Sequence, residues 1–343
     1  MAVKPALPRR AGRRTNLALL GLLVLAFLTG VLAYGVGTPT AATVVVAVHG
    51  AAGLGLLLLV PWKAVIVRRS WPRAASTRAA ATGLGVLVAL TVLTGVLHAI
   101  GVAPLSMLLI HVGIAIGAAP LLLFHAWGRR QRPRRADLSR RTVLKVGALA
   151  VGGASLWAVG DGILRLTGAA GADRRGTGSL ENGTDDPTAM PVTQWFTDTV
   201  PETTGDAITV VVGDQQARIP ISDLDRGDSV RAVLDCTGGW YAAQDWAGVR
   251  LDRLLREVTG KELPEDGSID VSSRTGYRRR LPLRDARALL LATSAAGQAL
   301  SDGHGAPVRL VAPGRRGFWW VKWVERIDVV DAPWWRQPPF PLQ

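Results

Sequence analysis

Long apolar runs separated by short polar breaks fill the first half of the chain, and shorter runs with strand-like patterning fill the second. Four of the long runs lie at about residues 17–36, 41–61, 79–101 and 105–127. Each is close to the ~20 residues a helix needs to cross the hydrocarbon core of a bilayer. The links between them alternate in character. Residues 37–40 and 102–104 are short and uncharged, whereas 62–78 and 128–145 are strongly basic. Four such helices with short connections predict an up-and-down bundle. A fifth, milder and glycine-rich run covers 146–164 and predicts an anchor helix. Residues 168–189, rich in Gly, Asp, Asn and Thr without periodicity, read as a tether. Beyond it, strand-like runs fall at 208–212, 230–234, 269–272, 308–312 and 326–330, with helical patterns at 251–258 and 284–291. Strands outnumber helices without regular alternation, so an α+β domain is expected there. The expected division is 1–136 for the four-helix unit, 137–167 for the anchor, 168–189 for a linker and 190–343 for the second domain. No internal repeat and no nucleotide-binding glycine motif is read.

Charge sharpens this division. The chain of 343 residues has a net charge of +14. Residues 1–145 hold 18 basic side chains against the single acid Asp137, while 146–343 hold 22 basic against 25 acidic. The excess therefore sits in clusters flanking apolar runs, which is how a membrane protein marks its cytoplasmic side. A nucleic-acid partner does not follow from it. By the same rule the N-terminal head (Lys4, Arg9, Arg10, Arg13, Arg14) and the two basic links are cytoplasmic, and 37–40 and 102–104 face outward.

One position carries candidate chemistry on its own. Cys236 is the only cysteine, so no internal disulfide exists within the chain. It follows the β-branched run 230–234 and precedes the turn Thr237-Gly238-Gly239. A strand end of this kind holds a side chain from behind and leaves its sulfur open in front. The bland alternative is a small buried core residue.

The surroundings of Cys236 decide between these. VLDCTGGWYAAQDWAGVRL, then GYRRRLPL at 276–283, then HGAPVRLVAP and VKW within 304–323, resemble in that order the molybdopterin-binding domain of the sulfite oxidase family. The resemblance spans about 195–332. It implies an α+β molybdenum-cofactor oxidoreductase in which Cys236 is the thiolate ligand of molybdenum, a soft donor suited to a metal that exchanges an oxo group. Carried over by position, His304, Arg309 and Lys322 are candidates for contacts to the pterin or its phosphate, and Arg315 and Arg316 for donors to that phosphate. The alternative for each arginine is a solvated surface charge. Trp240, Tyr241 and Tyr277 are candidates to line the pocket, or plain core. The animal and plant members carry an Arg-Asn-His signature near the domain start, where this chain reads Gln194-Trp195-Phe196-Thr197-Asp198. Sulfite is therefore not implied as substrate. Bacterial relatives without that signature include periplasmic methionine sulfoxide reductases, which run in the opposite direction.

Two further patterns bear on how such a domain is used. Ser139-Arg140-Arg141-Thr142-Val143-Leu144-Lys145, ahead of the fifth apolar run, resembles a twin-arginine export signal for already folded proteins. Ala170-Gly171-Ala172 matches an A-x-A cleavage pattern, although the span is expected to remain as an anchor. Four of the five histidines, His49, His98, His111 and His125, fall in apolar runs. A histidine in hydrocarbon is costly and usually functional. Imidazoles from two helices are the usual axial ligands of haem b. His49 and His111 sit at similar depth from the outward links, roughly 12 and 9 Å at the helical rise. They are the expected ligands of one haem b, with His98 a reserve ligand or propionate partner. His125 lies about four turns deeper than His111 and has no opposite histidine. The alternative is a plain anchor.

The reading is an all-α membrane bundle of four helices plus a fifth anchor helix, followed by an α+β molybdopterin domain on the outer face of the cell membrane. It exchanges an oxo group with a small substrate and passes electrons to or from the bundle and a quinone or cytochrome partner. The rivals are a quinol-linked reductase of sulfoxide-like groups and a metal-free docking module.

Overall fold

A computed structural model describes residues 12–70, 75–102, 104–127, 137, 139–194, 198–202, 205–264 and 266–339. Lys4, Arg9, Arg10, Trp195, Phe196 and Thr197, and most of the basic link 128–138, lie outside the described residues. The chain divides into two units, Met1–Ala33 with Ala42–Gly178, and Tyr34–Ala41 with Ser179–Gln343.

The first unit is helical: α1 (Arg13–Gly35), α2 (Pro39–Leu58), α3 (Val60–Ser70), α4 (Ala75–Ala99), α5 (Ser106–Trp127) and α6 (Arg140–Thr167). Five of these are long and apolar enough to cross a membrane; the short α3 is the exception. Large apolar side chains stand exposed along them, 70% for Leu123 and Phe124 and up to 89% for Leu166. Helices apolar all round need either a protein core or hydrocarbon around them. The basic link expected at 62–78 is instead helical as far as Ser70. The break at Leu59 fits Pro61, which lacks an N–H and is tolerated in the first turn of the new helix.

The expected tether at 168–189 is packed, and it is shared between the units. Gly168 ends α6 in the left-handed region, and Ala169 N–H returns to Leu164 O. Gly171 N–H then donates to Ile100 O at 3.0 Å, and Arg174 donates to Ala99 O and to Asp161. A methyl at Gly171 would lie 2.2 Å from Ala99 O. Its glycine thus serves close approach rather than flexibility. His98 Nε2 meets Gly178 O at 3.1 Å. From Ser179 the chain belongs to the second unit, where β1 (Leu180–Glu181) adds parallel to a sheet.

That unit contains β2 (Ala207–Val212), β3 (Gln215–Pro220), β4 (Asp228–Asp235), β5 (Trp240–Arg250), α7 (Leu251–Thr259), β6 (Ser268–Ser273), β7 (Arg278–Pro282), β8 (Leu290–Ala295), β9 (Gln298–Ala299), β10 (Arg309–Val311) and β11 (Val324–Val330). One sheet runs β1-β5-β8-β10, with β4 on β5 and β9 on β8; the other runs β3-β2-β11-β6-β7. Helix α7 buries Leu251, Leu254 and Leu255 on one stripe, each worth about 1.5–3 kcal/mol of burial. The helix expected at 284–291 is a 3-10 turn at Leu283–Ala288 followed by β8. Leu290, Leu291 and Ala292 are buried between β5 and β10. A short apolar run buried on both faces carries no periodicity to separate strand from helix.

Candidate functional site

The hairpin β4–β5 delivers Cys236. Eight residue pairs from Asp228↔Gly248 to Asp235↔Tyr241 hold its register. Cys236 N–H donates to Trp240 O, and Gly239 N–H returns to Cys236 O. Gly239 has φ 90°, which glycine adopts without strain. The resulting loop leaves the sulfur half-buried, with Gly238 N–H 3.3 Å and the Thr193 hydroxyl 3.1 Å from Sγ.

Behind the loop lies a buried polar support. Ser179 Oγ donates to Asp235 Oδ1 at 2.8 Å and lies 3.3 Å from Cys236 O. Arg316 Nη2 donates to Cys236 O at 3.4 Å, its Nε lies 3.7 Å from Asp235, and its backbone bridges that residue. Arg316 N–H donates in turn to Gly37 O, in the Tyr34–Ala41 segment that belongs to this unit.

In front, the cations converge. Lys322 Nζ donates to Thr193 O at 2.9 Å and Gly303 O at 2.6 Å. Arg309, 1% exposed on β10, donates to His304 O and lies over the rings of Trp246 and Trp320. His304 pairs Nδ1 with Ser301 Oγ at 2.8 Å. Burial lowers all three. Arg309 falls to about 10 and Lys322 to about 8, with Arg309 adding to the lowering at Lys322. A negative sulfur at Cys236 pulls both back up, and Asp198 does the same for Lys322. His304 falls to about 4 through burial and then the charges of Arg309 and Lys322. Imidazole there is neutral at pH 7.

Arg309 Nε, Trp240 Nε1 and Asp198 Oδ1 are buried without a hydrogen-bond partner among the described residues. No carboxylate there pairs with the buried Arg309 guanidinium either. A buried cation of this kind costs several kcal/mol unless an anion meets it. One soft sulfur, buried cations and spare N–H donors fit a molybdenum held by an anionic pterin. Among the described residues no three His, Cys, Asp or Glu side chains gather as a metal cage. One cysteine plus a chelating cofactor needs none.

The other candidates fall elsewhere. Arg315 pairs with Asp285 at 2.7 Å and lies over Trp319 and Trp334. Arg316 supports the cysteine loop from beneath. Tyr277 is buried with its hydroxyl on Phe318 O, and Trp240 is buried core with a spare N–H. Tyr241 sits half-buried on β5, paired with β1 and β4. Thr193 and Ser179 had no part in the sequence reading, and Asp235 and Asp198 entered it only within quoted stretches, without a role. Asp235 had a cue in its place beside the cysteine; Thr193, 43 residues upstream, had none.

Comparison with known proteins agrees with this chemistry. Residues 200–337 match the oxidoreductase molybdopterin binding domain family. The chain is 30% identical over 171 residues to a nitrate reductase [NAD(P)H] of Hordeum vulgare, covering 41% of this chain and 19% of that one. It is 35% identical over 121 residues to the mitochondrial sulfite oxidase of Rattus norvegicus, covering 32% and 21%. Among solved structures, the sulfane dehydrogenase SoxCD of Paracoccus pantotrophus matches at 26% identity and TM-score 0.35, covering 38% of this chain and 40% of that one. The chain spans about a fifth of the length of these curated relatives. The C-terminal region is a molybdopterin-binding oxidoreductase domain. Within that class it is similar to nitrate reductases and sulfite oxidases.

Proposed function

We propose that the protein is a membrane-anchored molybdenum oxidoreductase on the outer face of the cytoplasmic membrane, exchanging an oxo group with a small substrate. The observation that carries this is the buried Arg309, without a carboxylate partner among the described residues, beside the open sulfur of Cys236. Molybdenum ligated there supplies two-electron oxo exchange. The chain's own groups do the rest. Arg309 and Lys322 hold the anionic parts of the pterin by charge-assisted bonds. Neutral His304 contributes without adding charge. The Thr193 hydroxyl and the Gly238 N–H stand as donors to a ligating sulfur.

Electrons then pass one at a time to or from the helical unit, where one haem b is the carrier and a quinone or cytochrome the external partner. The exposed apolar helices support a lipid surround. Arg140 and Arg141 stand in the first turn of α6, where each cation is disfavoured by about 0.3–1 kcal/mol by the helix dipole. Export through a twin-arginine route, with the cytoplasmic side marked by charge, accounts for their position. Replacing both with Lys should leave the C-terminal unit inaccessible to protease added to intact spheroplasts; exposure equal to the parent rules the route out.

Cys236→Ser tests the chemistry. Turnover with redox dyes should vanish while the unit stays folded, because oxygen replaces the soft sulfur at nearly the same volume. Parental turnover in this variant contradicts the proposal. A quinol-linked reductase of sulfoxide-like groups differs in the direction of dye coupling, and a metal-free docking module in lacking molybdenum.

A further inference from the structure

Two stretches of the helical unit are copies of each other. Leu28-Thr29-Gly30-Val31-Leu32 in α1 recurs as Leu93-Thr94-Gly95-Val96-Leu97 in α4, and Pro39 recurs at the same offset as Pro104. The absence of repeats read from the sequence is thereby corrected. A five-residue identity among leucine-rich helices is weak by itself. The side-chain geometry makes it specific.

In the first copy, His49 from α2 places Nδ1 2.8 Å from Ala26 O and 3.4 Å from Thr29 Oγ1. In the second, His111 from α5 places Nδ1 2.9 Å from Thr91 O and 3.3 Å from Thr94 Oγ1. Ala26 and Thr91 are equivalent positions of the two copies. Each threonine also donates back to the carbonyl four residues earlier, Leu25 or Leu90. Each following glycine opens the space for the ring: a methyl at Gly30 would lie 3.2 Å from His49 Cε1, and one at Gly95 3.0 Å from His111 Cε1.

A backbone carbonyl only accepts, so both Nδ1 atoms carry the proton and both Nε2 atoms carry a lone pair. Fixing the tautomer by a carbonyl on the other nitrogen is the usual arrangement behind a metal-bound histidine. No hydrogen bond reaches either Nε2 among the described residues. The two rings are nevertheless neighbours, with centroids 5.9 Å apart and planes crossed at 87°. A bare metal ion would need further protein ligands, and no third His, Cys, Asp or Glu joins the pair among the described residues. A chelating macrocycle would supply the remaining ligands itself.

We infer that the helical unit is a duplicated hairpin that closes on one shared iron porphyrin, each copy giving one imidazole through Nε2. The inference deepens the electron-relay reading above and rests on it only for purpose. Binding is fixed by the helices alone. One cofactor follows from one pair. His98 is engaged with Gly178 O and is no member of the pair, and His125 has no counterpart in the first copy.

The test uses the full chain purified from a haem-replete host. One b-type haem per chain by pyridine assay, with a six-coordinate low-spin spectrum, is expected. His49→Gly and His111→Gly should each lose that spectrum equally, and added imidazole should restore it in either variant. His125→Ala should leave it unchanged. Absence of haem, two haems per chain, or a low-spin spectrum surviving both glycine variants overturns the inference. Molybdenum measured in the same samples separates the two proposals. Haem without molybdenum sinks the oxidoreductase reading and leaves this site standing; molybdenum without haem does the reverse. Parental molybdenum in the glycine variants shows that they fold.

Discussion

The two units treat polar side chains in opposite ways. In the helical unit they occur as isolated, locally anchored pairs on apolar helices, such as His49 on Ala26 O and His111 on Thr91 O. In the C-terminal unit they form a connected network that runs from Ser179 and Asp235 beneath Cys236 to Thr193 and Lys322 beside it. Low dielectric strengthens both arrangements and punishes any member left unmatched. The lesson is in what each leaves open. The helices leave two neutral lone pairs on neighbouring rings, which suits a metal. The network leaves a buried positive charge, which suits an anion.

The contrast breaks first at Arg309. Arg309→Met removes a charge that has no carboxylate partner among the described residues, so the cofactor-free unit should be as stable as the parent or more so, in the manner of buried ions replaced by apolar side chains. Cofactor retention should fall by about 10–100-fold, the usual loss for a supporting shell. Thermal melts of the cofactor-free protein and molybdenum retention through dialysis measure the two. Marked destabilisation of the cofactor-free form would mean the guanidinium serves the fold.

Lys322 gives a smaller and pH-dependent effect. Its ammonium, lowered by burial and by Arg309, is present below about 8 and lost as pH rises through that value. An anionic cofactor favours the charged form and moves the loss upward. Retention should therefore weaken on the alkaline side of pH 8, and Lys322→Met should start weaker and flatten the dependence. A parental alkaline profile in that variant assigns the titration to another group.

The least effect belongs to Thr193. Its hydroxyl, 3.1 Å from Sγ, withdraws density from the sulfur. Hydrogen bonds around a ligating cysteine tune metal potentials. Thr193→Val should lower the molybdenum midpoint potential in an EPR-monitored titration, and Thr193→Ser should restore it. An unchanged potential would leave Thr193 as packing.

These contrasts also explain what was legible. Five membrane-length helices followed from composition, since hydrocarbon admits few alternatives. Histidines were conspicuous because they are rare there. In the C-terminal unit basic residues are common, and position along the chain did not tell Arg309, beside the cysteine, from Arg315, paired with Asp285. The strand β8 was hidden because an apolar run buried on two faces has no period. The duplicated hairpin was hidden for a related reason. Leucine-rich helices resemble one another everywhere, and only the matched histidine anchors give the copy away.

The central claim is that Cys236 is the protein ligand of molybdenum. X-ray absorption at the molybdenum edge tests it directly on purified full-length protein and its Cys236→Ser variant. The account predicts molybdenum in the wild type and one fewer sulfur around the metal in the variant. An unchanged sulfur count, or a wild-type protein free of molybdenum, would contradict it.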